Sequence, residues 1–587
     1  MTQTDQPAAQ AQSLSTAARV AWLLLILATL YICYFHNLGA IGLVGPDEPR
    51  YAWIARDMAE TGDWVTPRLY GKPWFEKPVL YYWGAALSFK LLGVSEAAAR
   101  LPSALAALLA TLALAWLALR LYGAETARWL LLLLPTAAGM IGFSHAAAMD
   151  MPFAATLTIA MVFAARLLGL ISSSSSVSFT SFTSSTSFAS FCFGLFLGLA
   201  VLAKGPAAIV LGGGAVLLWA LFTKRWRDAF RCLHPVAIAS FCLTALPWYI
   251  LCARRNPDFF RIFIIEHNFK RYLTPEFQHI QPFWFYVPVL LVCFLPWLLL
   301  LLWALYSSVR DLKPILPQYP VSLFLISWAA FALVFFSISR SKLPGYILPA
   351  VPALGLLLAH QFTNQPKKPV RLGIVLVVFA SFLFAAAEII SQRSQPHDVE
   401  SMPKIMMTSL VAETLLVIVL PNWVLAGAFF SSKRPAYRNM FCALAIVSIL
   451  IPLVFWPHYV NKYERGFLSA KTLAEGLHRR GIPAERIFTW KGANRSWRYG
   501  ASFYLHAEVR DWDMENRQEA FVITGTAACP QLKAADYNAK WLQIYEQGGL
   551  WFVCQMTPKD SGAGLTASPA ALGGGNHLDD RRDRQPR

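Results

Sequence analysis

A short stretch, residues 45–83, gathers side chains that can exchange protons or bind an anion. They are Asp47, Glu48, Arg50, Tyr51, Glu76 and Lys77, and aromatic residues stand among them. Ionised side chains held at a membrane are costly, so they usually bind a ligand or react. Asp47 also stands where a helical pattern begins, and helix capping is an alternative explanation for that residue. The density of ionisable groups favours a functional site in this stretch.

The composition places this stretch in an integral membrane protein. Of the 587 residues, 56% are hydrophobic and 14% are charged, and the mean hydropathy is +0.45. A soluble protein carries about 25% charged residues, so this chain is not a soluble globular protein. The composition also excludes a disordered chain, a collagen and a coiled coil. The formal net charge of +18 indicates contact with anionic lipid rather than with nucleic acid.

Long apolar runs predict about 13 transmembrane helices, because a helix needs about 20 apolar residues to cross a bilayer. The predicted spans are 18–38, 101–121, 128–146, 150–170, 188–203, 205–222, 235–253, 284–306, 319–338, 345–362, 372–391, 405–430 and 439–457. The run 79–93 is shorter, begins with aromatic residues and contains Lys90. We therefore expect it to form an interfacial helix that lies on the membrane.

Short basic connectors between the spans predict the orientation of the chain. They lie near 120–128, 223–234, 307–314, 363–371 and 431–438, and the positive-inside rule places them in the cytoplasm. The N-terminal segment 1–17 is then cytoplasmic, and two long loops, 44–100 and 254–283, lie outside. Both outside loops are basic as well, which the orientation rule does not explain. An anionic ligand on the outside face would explain it.

The end of the chain differs in character from the spans. Residues 458–557 alternate helix-like and strand-like runs, which predicts a small α/β domain on the outside face. Residues 558–587 have a composition typical of a disordered tail, and the Ser-rich stretch 172–190 is typical of a flexible connector. Most cysteines lie in apolar runs and are expected to be buried. Cys529 and Cys554 lie in the small domain, where an oxidising compartment would allow a disulfide.

Several motifs occur in a fixed order along most of residues 20–360. They are DEPRYAWIARDMAETGDWVTPRLYGKPWFEKPVLYYW (47–83), SEAAARLPS (95–103), MDMP (149–152), AKGP (203–206), EHNFKRY (266–272) and SKLPGYILP (341–349). Together they closely resemble the polyprenyl-phosphate-sugar glycosyltransferases of the GT-C type. The chain is most similar to the transferases that add 4-amino-4-deoxy-L-arabinose to lipid A, which are related to the protein O-mannosyltransferases. The resemblance implies that residues 18–457 form a GT-C transmembrane domain.

The resemblance also implies functions for individual residues. It assigns catalysis to Asp47 and Asp150, binding of the lipid phosphate to Lys77, Arg271, Tyr346, Lys204 and Lys342, the substrate pocket to Glu48, Arg50 and Tyr51, and a zinc-like metal site to Glu76 and His267. For several of these residues, a structural explanation stays open beside the functional one. Asp150 precedes Met151-Pro152 and is also a good helix cap. His267 also suits an amphipathic interface, and any single Lys or Arg can snorkel to the membrane surface. Two protein ligands are few for zinc, so substrate or water would complete the site.

The implied donor is a sugar linked to undecaprenyl phosphate, and the implied acceptor is a lipid A phosphate. We find no nucleotide-binding motif in the sequence, and the donor requires no nucleotide cofactor. The departing lipid phosphate gains negative charge, which the cations would stabilise most in the transition state. Asp47 would act as a general base toward a hydroxyl acceptor. An ionised phosphate acceptor needs no base, and Asp47 would then orient the acceptor or stabilise positive charge on the sugar.

Two other functions compete with this prediction. A related transferase would move another lipid-linked sugar to a glycan or to protein hydroxyls, as the O-mannosyltransferases do. A transporter would place ionisable residues inside the spans and would show internal repeats. Here the ionisable residues gather in loops on one face, so the sequence favours a transferase. The predicted location is the bacterial inner membrane, with the active site and the small domain on the periplasmic side.

Overall fold

The computed structural model describes most of the first 364 residues of the chain and much of the small domain. The described ranges are 15–171, 186–270, 280–306 without 299 and 303, 320–364, 469–490, 494–513, 519–524, 537–546 and 549–558, with single positions between 446 and 454. Several predictions therefore lie outside the described residues. They include Arg271, Cys529, the spans 372–391 and 405–430, most of the span 439–457 and of the Ser-rich stretch 172–190, and the end of the chain from 559.

Seven helices of the described part are long and apolar enough to cross a membrane. They are α1 (Thr16–Tyr34), α4 (Glu96–Tyr122), α7 (Asp150–Leu167), α8 (Thr186–Lys204), α11 (Pro235–Arg255), α13 (Pro320–Ile338) and the helical segment Pro344–Thr363. The last segment is a 3₁₀-helix, Pro344–Ala350, that continues as α14 (Val351–Asn364). Shorter helices are α9 (Ala207–Thr223), α10 (Trp226–Phe230) and α12 (Tyr286–Cys293). The predicted multi-pass helical membrane protein is confirmed, and the number of about 13 spans stays a prediction.

One predicted span is broken. The run 128–146 forms two helices, α5 (Ala124–Leu133) and α6 (Ala138–Ser144), which meet at an angle of 63°. Pro135 lies in the break, and it lacks the N–H that would continue the helix. Hydropathy alone does not reveal such a break, because the residues on both sides are apolar. The pair counts either as one bent span or as a re-entrant loop.

The loop after α1 folds into short elements that carry the first group of ionisable residues. They are α2 (Asp47–Thr61), the two-stranded ribbon of β1 (Arg68–Leu69) and β2 (Lys72–Pro73), and α3 (Leu80–Leu92). Gly62 ends α2 in the left-handed region, at φ 72°, where glycine pays no steric cost. The predicted helix in 79–93 is confirmed as α3, and its lying on the membrane surface stays a prediction.

Two of the described membrane segments lie deep inside the helix bundle, Pro344–Thr363 and α7. Of the apolar window of α7, 78% is buried inside the protein, against 83% for Pro344–Thr363 and 22% for α1. Helix α7 packs against α4 and α8, and small residues along it let the neighbouring helices approach closely. Asp150 is the first residue of α7. Burial of this helix therefore fixes the position of a carboxylate at one end of the bundle.

The small domain has the α/β character that the sequence predicts. Its described elements are α15 (Lys471–Arg479), β3 (Ile487–Thr489), α16 (Arg495–Leu505), β4 (Arg510–Asp511), β5 (Ala520–Ile523), β6 (Tyr537–Glu546) and β7 (Gly549–Pro558). The strands form one mixed sheet in the order β4-β3-β5-β7-β6. Strand β3 pairs in parallel with β4 and β5, and β7 pairs in antiparallel with β5 and β6. Cys554 on β7 is disulfide-bonded, and its expected partner lies outside the described residues.

Candidate active site

A buried ion pair joins α2 to α4. Glu48 receives Nη2 of Arg100 at 2.7 Å and Nε at 3.2 Å, and both side chains are almost fully buried. Arg100 also donates to the backbone carbonyls of Leu38, Ile41 and Gly42 at 2.7–2.9 Å. One arginine thus holds the chain that enters α2. The sequence motif SEAAARLPS contains Arg100, but its spacing gave no reason to single that residue out.

Glu48 has protein partners on both of its oxygens. Besides Arg100, it accepts the backbone N–H of Val44 and of Ala147, each at 2.7 Å. These contacts leave it little capacity for a substrate and favour a structural function. Its assignment to the substrate pocket stays a prediction that this geometry does not support.

Four charged residues of alternating sign form the Arg50 cluster. They are Asp47, Arg50, Glu76 and Lys77. Nη2 of Arg50 is 2.6 Å from Oδ1 of Asp47 and 3.1 Å from Oε2 of Glu76, and Nζ of Lys77 is 3.8 Å from Oε1 of Glu76. The Arg50 and Glu76 side chains are 5% and 11% exposed, but that of Asp47 is 49% exposed. Asp47 is therefore the carboxylate of the cluster that a substrate can reach.

Aromatic rings surround the guanidinium of Arg50. Its carbon lies 5.1 Å from the ring centre of Tyr51, 5.6 Å from that of Trp74 and 5.5 Å from that of Tyr499. Burial lowers the pKa of Arg50, but the carboxylates of Glu76 and Asp47 and a hydrogen bond to the Tyr51 hydroxyl outweigh burial and raise it, so the group stays charged. Burial, with Glu76 and Asp47, raises the pKa of Tyr51 well above its ordinary value, so the phenol stays neutral.

A second group, the Lys204 cluster, consists of Asp150, Lys204 and Tyr346. Nζ of Lys204 is 2.5 Å from Oδ1 of Asp150 and 4.4 Å from the ring centre of Tyr346. Gly345 makes this arrangement possible, because a Cβ there would lie 2.5 Å from Oδ1 of Asp150. The glycine of the SKLPGYILP motif therefore brings the chain that carries Tyr346 against the start of α7.

The two clusters lie at the same end of the helix bundle. Glu48 follows Asp47 directly, and its Oε1 accepts the N–H of Ala147, which precedes Asp150 by only three positions. The same carboxylate is held by Arg100 near the start of α4. The structure thus brings together the first turns of α2 and α7, which are separated by about a hundred residues of sequence.

Three further predicted site residues, Lys342, His267 and Arg271, do not belong to either cluster as the structure describes them. Lys342 is buried and donates to the carbonyls of Ser339, at 2.5 Å, and Gln281, at 3.1 Å. It ties two loops together, and burial, with Arg340, lowers its pKa. His267 is half-buried in the π-helix Arg261–Lys270. Arg271 lies outside the described residues, so its predicted contact with phosphate is untested.

The predicted metal site does not fit the described residues well. No group of three or more His, Cys, Asp or Glu side chains in the described part of the chain is arranged to hold a metal ion. Both oxygens of Glu76 face cations, Arg50 and Lys77. Zinc sites in proteins usually have at least three protein ligands. A metal at Glu76 and His267 stays a prediction, and no step below uses it.

The small domain covers the Arg50 cluster. Tyr499 of α16 stacks on Arg50, and the hydroxyl of Tyr504 donates to Glu96 at 3.1 Å and accepts the N–H of Leu43 at 2.7 Å. Lys471 pairs with Glu96 at 2.8 Å. The sequence pattern showed no chemistry in this domain, and the single aromatic positions of α16 carry no signal that distinguishes a cap from an ordinary core.

Comparisons with known proteins agree with this arrangement. The family described as dolichyl-phosphate-mannose-protein mannosyltransferase matches residues 20–263. The undecaprenyl phosphate-alpha-4-amino-4-deoxy-L-arabinose arabinosyl transferase of Edwardsiella ictaluri is 31% identical over 431 residues, which cover 72% of this chain and 75% of the relative. The protein with the same description from Pseudomonas aeruginosa strain UCBPP-PA14 is 28% identical, over 86% of this chain and 92% of its own length.

A solved structure shares the fold. The crystal structure of ArnT from Cupriavidus metallidurans bound to undecaprenyl phosphate has a TM-score of 0.73 and 23% identity, over 92% of this chain and 98% of that one. The fold and the relatives together define a multi-pass membrane glycosyltransferase. Within that class, the chain belongs to the family of undecaprenyl phosphate-alpha-4-amino-4-deoxy-L-arabinose arabinosyl transferases.

Proposed function

We propose that this protein moves 4-amino-4-deoxy-L-arabinose from undecaprenyl phosphate to a phosphate of lipid A, on the periplasmic face of the inner membrane. The observation that carries the proposal is the meeting of the Arg50 and Lys204 clusters at one end of the bundle. Family membership supplies the sugar and the polyprenyl donor, since the relatives are described by that transfer. The solved structure bound to undecaprenyl phosphate shares the fold and supports a lipid-phosphate site.

The reaction is a displacement at the anomeric carbon of the sugar. An oxygen of the acceptor phosphate forms a bond to that carbon, and the bond from the carbon to the donor phosphate oxygen breaks. The electron pair of the broken bond stays on the donor phosphate, which leaves as undecaprenyl phosphate with one more negative charge. A group that stabilises this added charge lowers the barrier, because the charge is larger in the transition state than in the bound donor.

The Lys204 cluster provides a cation for the departing phosphate. Lys204 is almost buried, its ammonium faces the Tyr346 ring, and Asp150 fixes the position of its Nζ. A positively charged group that is already in place costs little reorganisation during the reaction. Asp150 then acts mainly by positioning Lys204, and Lys77 of the Arg50 cluster adds a second cation.

Asp47 is the carboxylate best placed to meet the sugar and the acceptor. Its side chain is half exposed, whereas Glu76 beside it is buried among cations. Arg50 donates to one Asp47 oxygen at 2.6 Å and so fixes the position of the carboxylate. With an ionised phosphate acceptor, no proton must be removed, so Asp47 orients the acceptor and stabilises positive charge that develops on the sugar.

A second candidate function is the glycosylation of protein hydroxyls. The match of residues 20–263 to the protein mannosyltransferases favours it. A hydroxyl acceptor must lose a proton, and Asp47 would take that proton as a general base. The two functions differ in acceptor and share the donor-side clusters.

The deciding experiment is mass spectrometry of lipid A from the bacterium with the gene, without it, and with the gene restored. We expect the aminoarabinose-bearing lipid A species to disappear without the gene and to return with it. Unchanged lipid A, together with the loss of a glycan from periplasmic proteins, would replace the first function with the second. The Asp47→Asn protein, expressed at the same level, serves as the inactive control.

A further inference from the structure

An apolar groove opens between α8, α9 and α11. Its volume is about 340 Å³, within the range of small-molecule pockets. The lining side chains are almost all apolar and include Phe193, Leu217, Trp226, Phe230 and Ile238. Because α8 ends and α9 begins beside the Lys204 cluster, the later half of α9 and the connector that follows it lie at the opposite end of the bundle. The groove extends from the first turn of α9 to that opposite end, and none of its lining residues belongs to the Arg50 or the Lys204 cluster.

Gly213 on α9 faces the open space of this groove. A Cβ added at Gly213 would meet no atom within 4 Å, although the residue lies inside a helix. The neighbouring Gly214 is different, because a Cβ there would collide with the Phe331 ring. Glycines of membrane helices usually allow close packing of a second helix, which explains Gly214 but not Gly213. A larger side chain at Gly213 would project into the space of the groove.

Basic residues adjoin Trp226, a lining residue of the groove, in the sequence. The connector 224–231 contains Lys224, Arg225, Arg227 and Arg231, with Asp228 as its acidic residue. Asp228 pairs with Arg225 at 2.7 Å and with Arg231 at 3.0 Å. Lys224 and Arg227 are exposed, and no carboxylate among the described residues pairs with either of them. Between them stands Trp226, a groove residue of the type that prefers the membrane–water interface.

We propose that the groove binds one anionic phospholipid from the leaflet opposite the active site. An acyl chain lies along Gly213 and Leu217, and the head-group phosphate meets Lys224 and Arg227. The apolar lining and the exposed cations match the two parts of such a lipid, and Lys224 and Arg227 lie within two positions of the lining residue Trp226. A second polyprenyl phosphate is disfavoured, because the cations that we propose for its phosphate belong to the Arg50 and Lys204 clusters at the opposite end of the bundle.

Native mass spectrometry of the full-length protein in detergent tests this site, with three probes: phosphatidylglycerol, phosphatidylcholine of the same chains, and undecaprenyl phosphate. We expect one phosphatidylglycerol to be retained more strongly than phosphatidylcholine. Gly213→Leu should remove that lipid by filling the groove, and Arg227→Gln should weaken its binding by about fivefold, the contribution of one basic residue at a lipid surface. Matched controls are Ala239→Leu, which adds the same side chain to an exposed position of α11 outside the groove, and Arg120→Gln at the end of α4.

The outcomes separate cleanly. Equal retention of both lipids by the wild type would overturn the head-group part of the proposal, and retention by Gly213→Leu equal to that of Ala239→Leu would overturn the groove. Preferential retention of undecaprenyl phosphate at this site would replace the phospholipid with the polyprenyl lipid. If Gly213→Leu does not fold, Arg227→Gln against Arg120→Gln still decides, because both change only an exposed side chain. Activity of the transferase site does not enter the measurement.

Discussion

Asp47 and Glu48 are neighbours in sequence and have different environments. Asp47 is half exposed and forms an ion pair with one arginine. Glu48 is buried, forms an ion pair with another arginine and accepts hydrogen bonds from two backbone N–H groups. The first arrangement suits a group that meets substrate, and the second suits a group that holds the fold. We therefore expect substitution of Asp47 to reduce activity and substitution of Glu48 to reduce stability.

Replacing Asp47 with asparagine should abolish sugar transfer and leave folding intact. The amide keeps the size of the side chain but removes the charge, and electrostatic stabilisation of a transition state by one group contributes about 100-fold or more to a rate. The measurement is the transfer rate of the purified protein with saturating donor and acceptor, beside its thermal unfolding temperature. A rate within about twofold of the wild type would remove Asp47 from the reaction, since a reacting carboxylate is worth far more than that.

Replacing Glu48 with alanine should instead unfold or weaken the protein. The change leaves Arg100 buried without its carboxylate, which costs about 3–5 kcal/mol in comparable buried pairs. Thermal unfolding in detergent measures the effect, and Glu60→Ala on the exposed face of the same helix is the matched control. A stable Glu48→Ala protein that has lost only transfer would restore Glu48 to the substrate pocket.

At the scale of elements, α16 of the small domain reaches the site through Tyr499. Tyr499→Ala should lower kcat/KM for transfer by about tenfold, because a cation–π contact of a buried cation is worth about 1–2 kcal/mol. Tyr499→Phe keeps the ring and should keep the rate, which distinguishes stacking on Arg50 from hydrogen bonding by the hydroxyl. Equal rates for the alanine and phenylalanine proteins would show that the cap has no influence on Arg50.

The turn after α2 is tied to the end of α11 by Asp63. Burial raises the pKa of Asp63, but the N–H groups of Thr66 and Val65 and the cations Arg255 and Arg68 outweigh burial, so the pKa lies below its ordinary value of 3.8. Because the folded-state pKa is depressed, the ionised carboxylate stabilises the fold at pH values above the unfolded-state pKa. This stabilisation is lost as the pH falls through the folded-state pKa.

The stability difference between wild type and Asp63→Asn should therefore be full at pH 7 and shrink below about pH 4. Thermal unfolding across this range measures it. Asp57→Asn is a control of opposite sign, because burial, opposed by Arg68 and aided by Glu60 and Asp63, raises the pKa of Asp57. Removing that charge should not weaken the protein at pH 7. A constant difference for Asp63→Asn at every pH would contradict the assigned cause.

At the scale of the whole molecule, the proposed orientation puts the site and the small domain on one side of the membrane and the connector 224–231 on the other. Cysteine placed at exposed Arg495 should react with a membrane-impermeant maleimide in intact spheroplasts, and cysteine at exposed Arg227 should react only after permeabilisation. The wild-type protein gives the background labelling. The reverse pattern would invert the proposed orientation and place the transfer in the cytoplasm.

The sequence by itself determined the class of the molecule. Apolar runs of about 20 residues leave few alternatives to transmembrane helices, because unpaired backbone groups are too costly in lipid. The spaced motifs from Asp47 to Tyr346 indicated the family, and relatives confirm it. Local periodicity also predicted the α/β character of the small domain, since strands and helices differ in their apolar repeat.

Only the tertiary structure decided what neighbouring residues do. Three contacts join segments that are far apart in sequence. Glu48 pairs with Arg100, Asp150 packs against Gly345, and Tyr499 stacks on Arg50. Periodicity reports which residues are buried but not which distant partner each one meets, and the function of an ionisable group depends on that partner and on its exposure. For this reason one motif, DEPR, contains both an accessible carboxylate and a buried structural one.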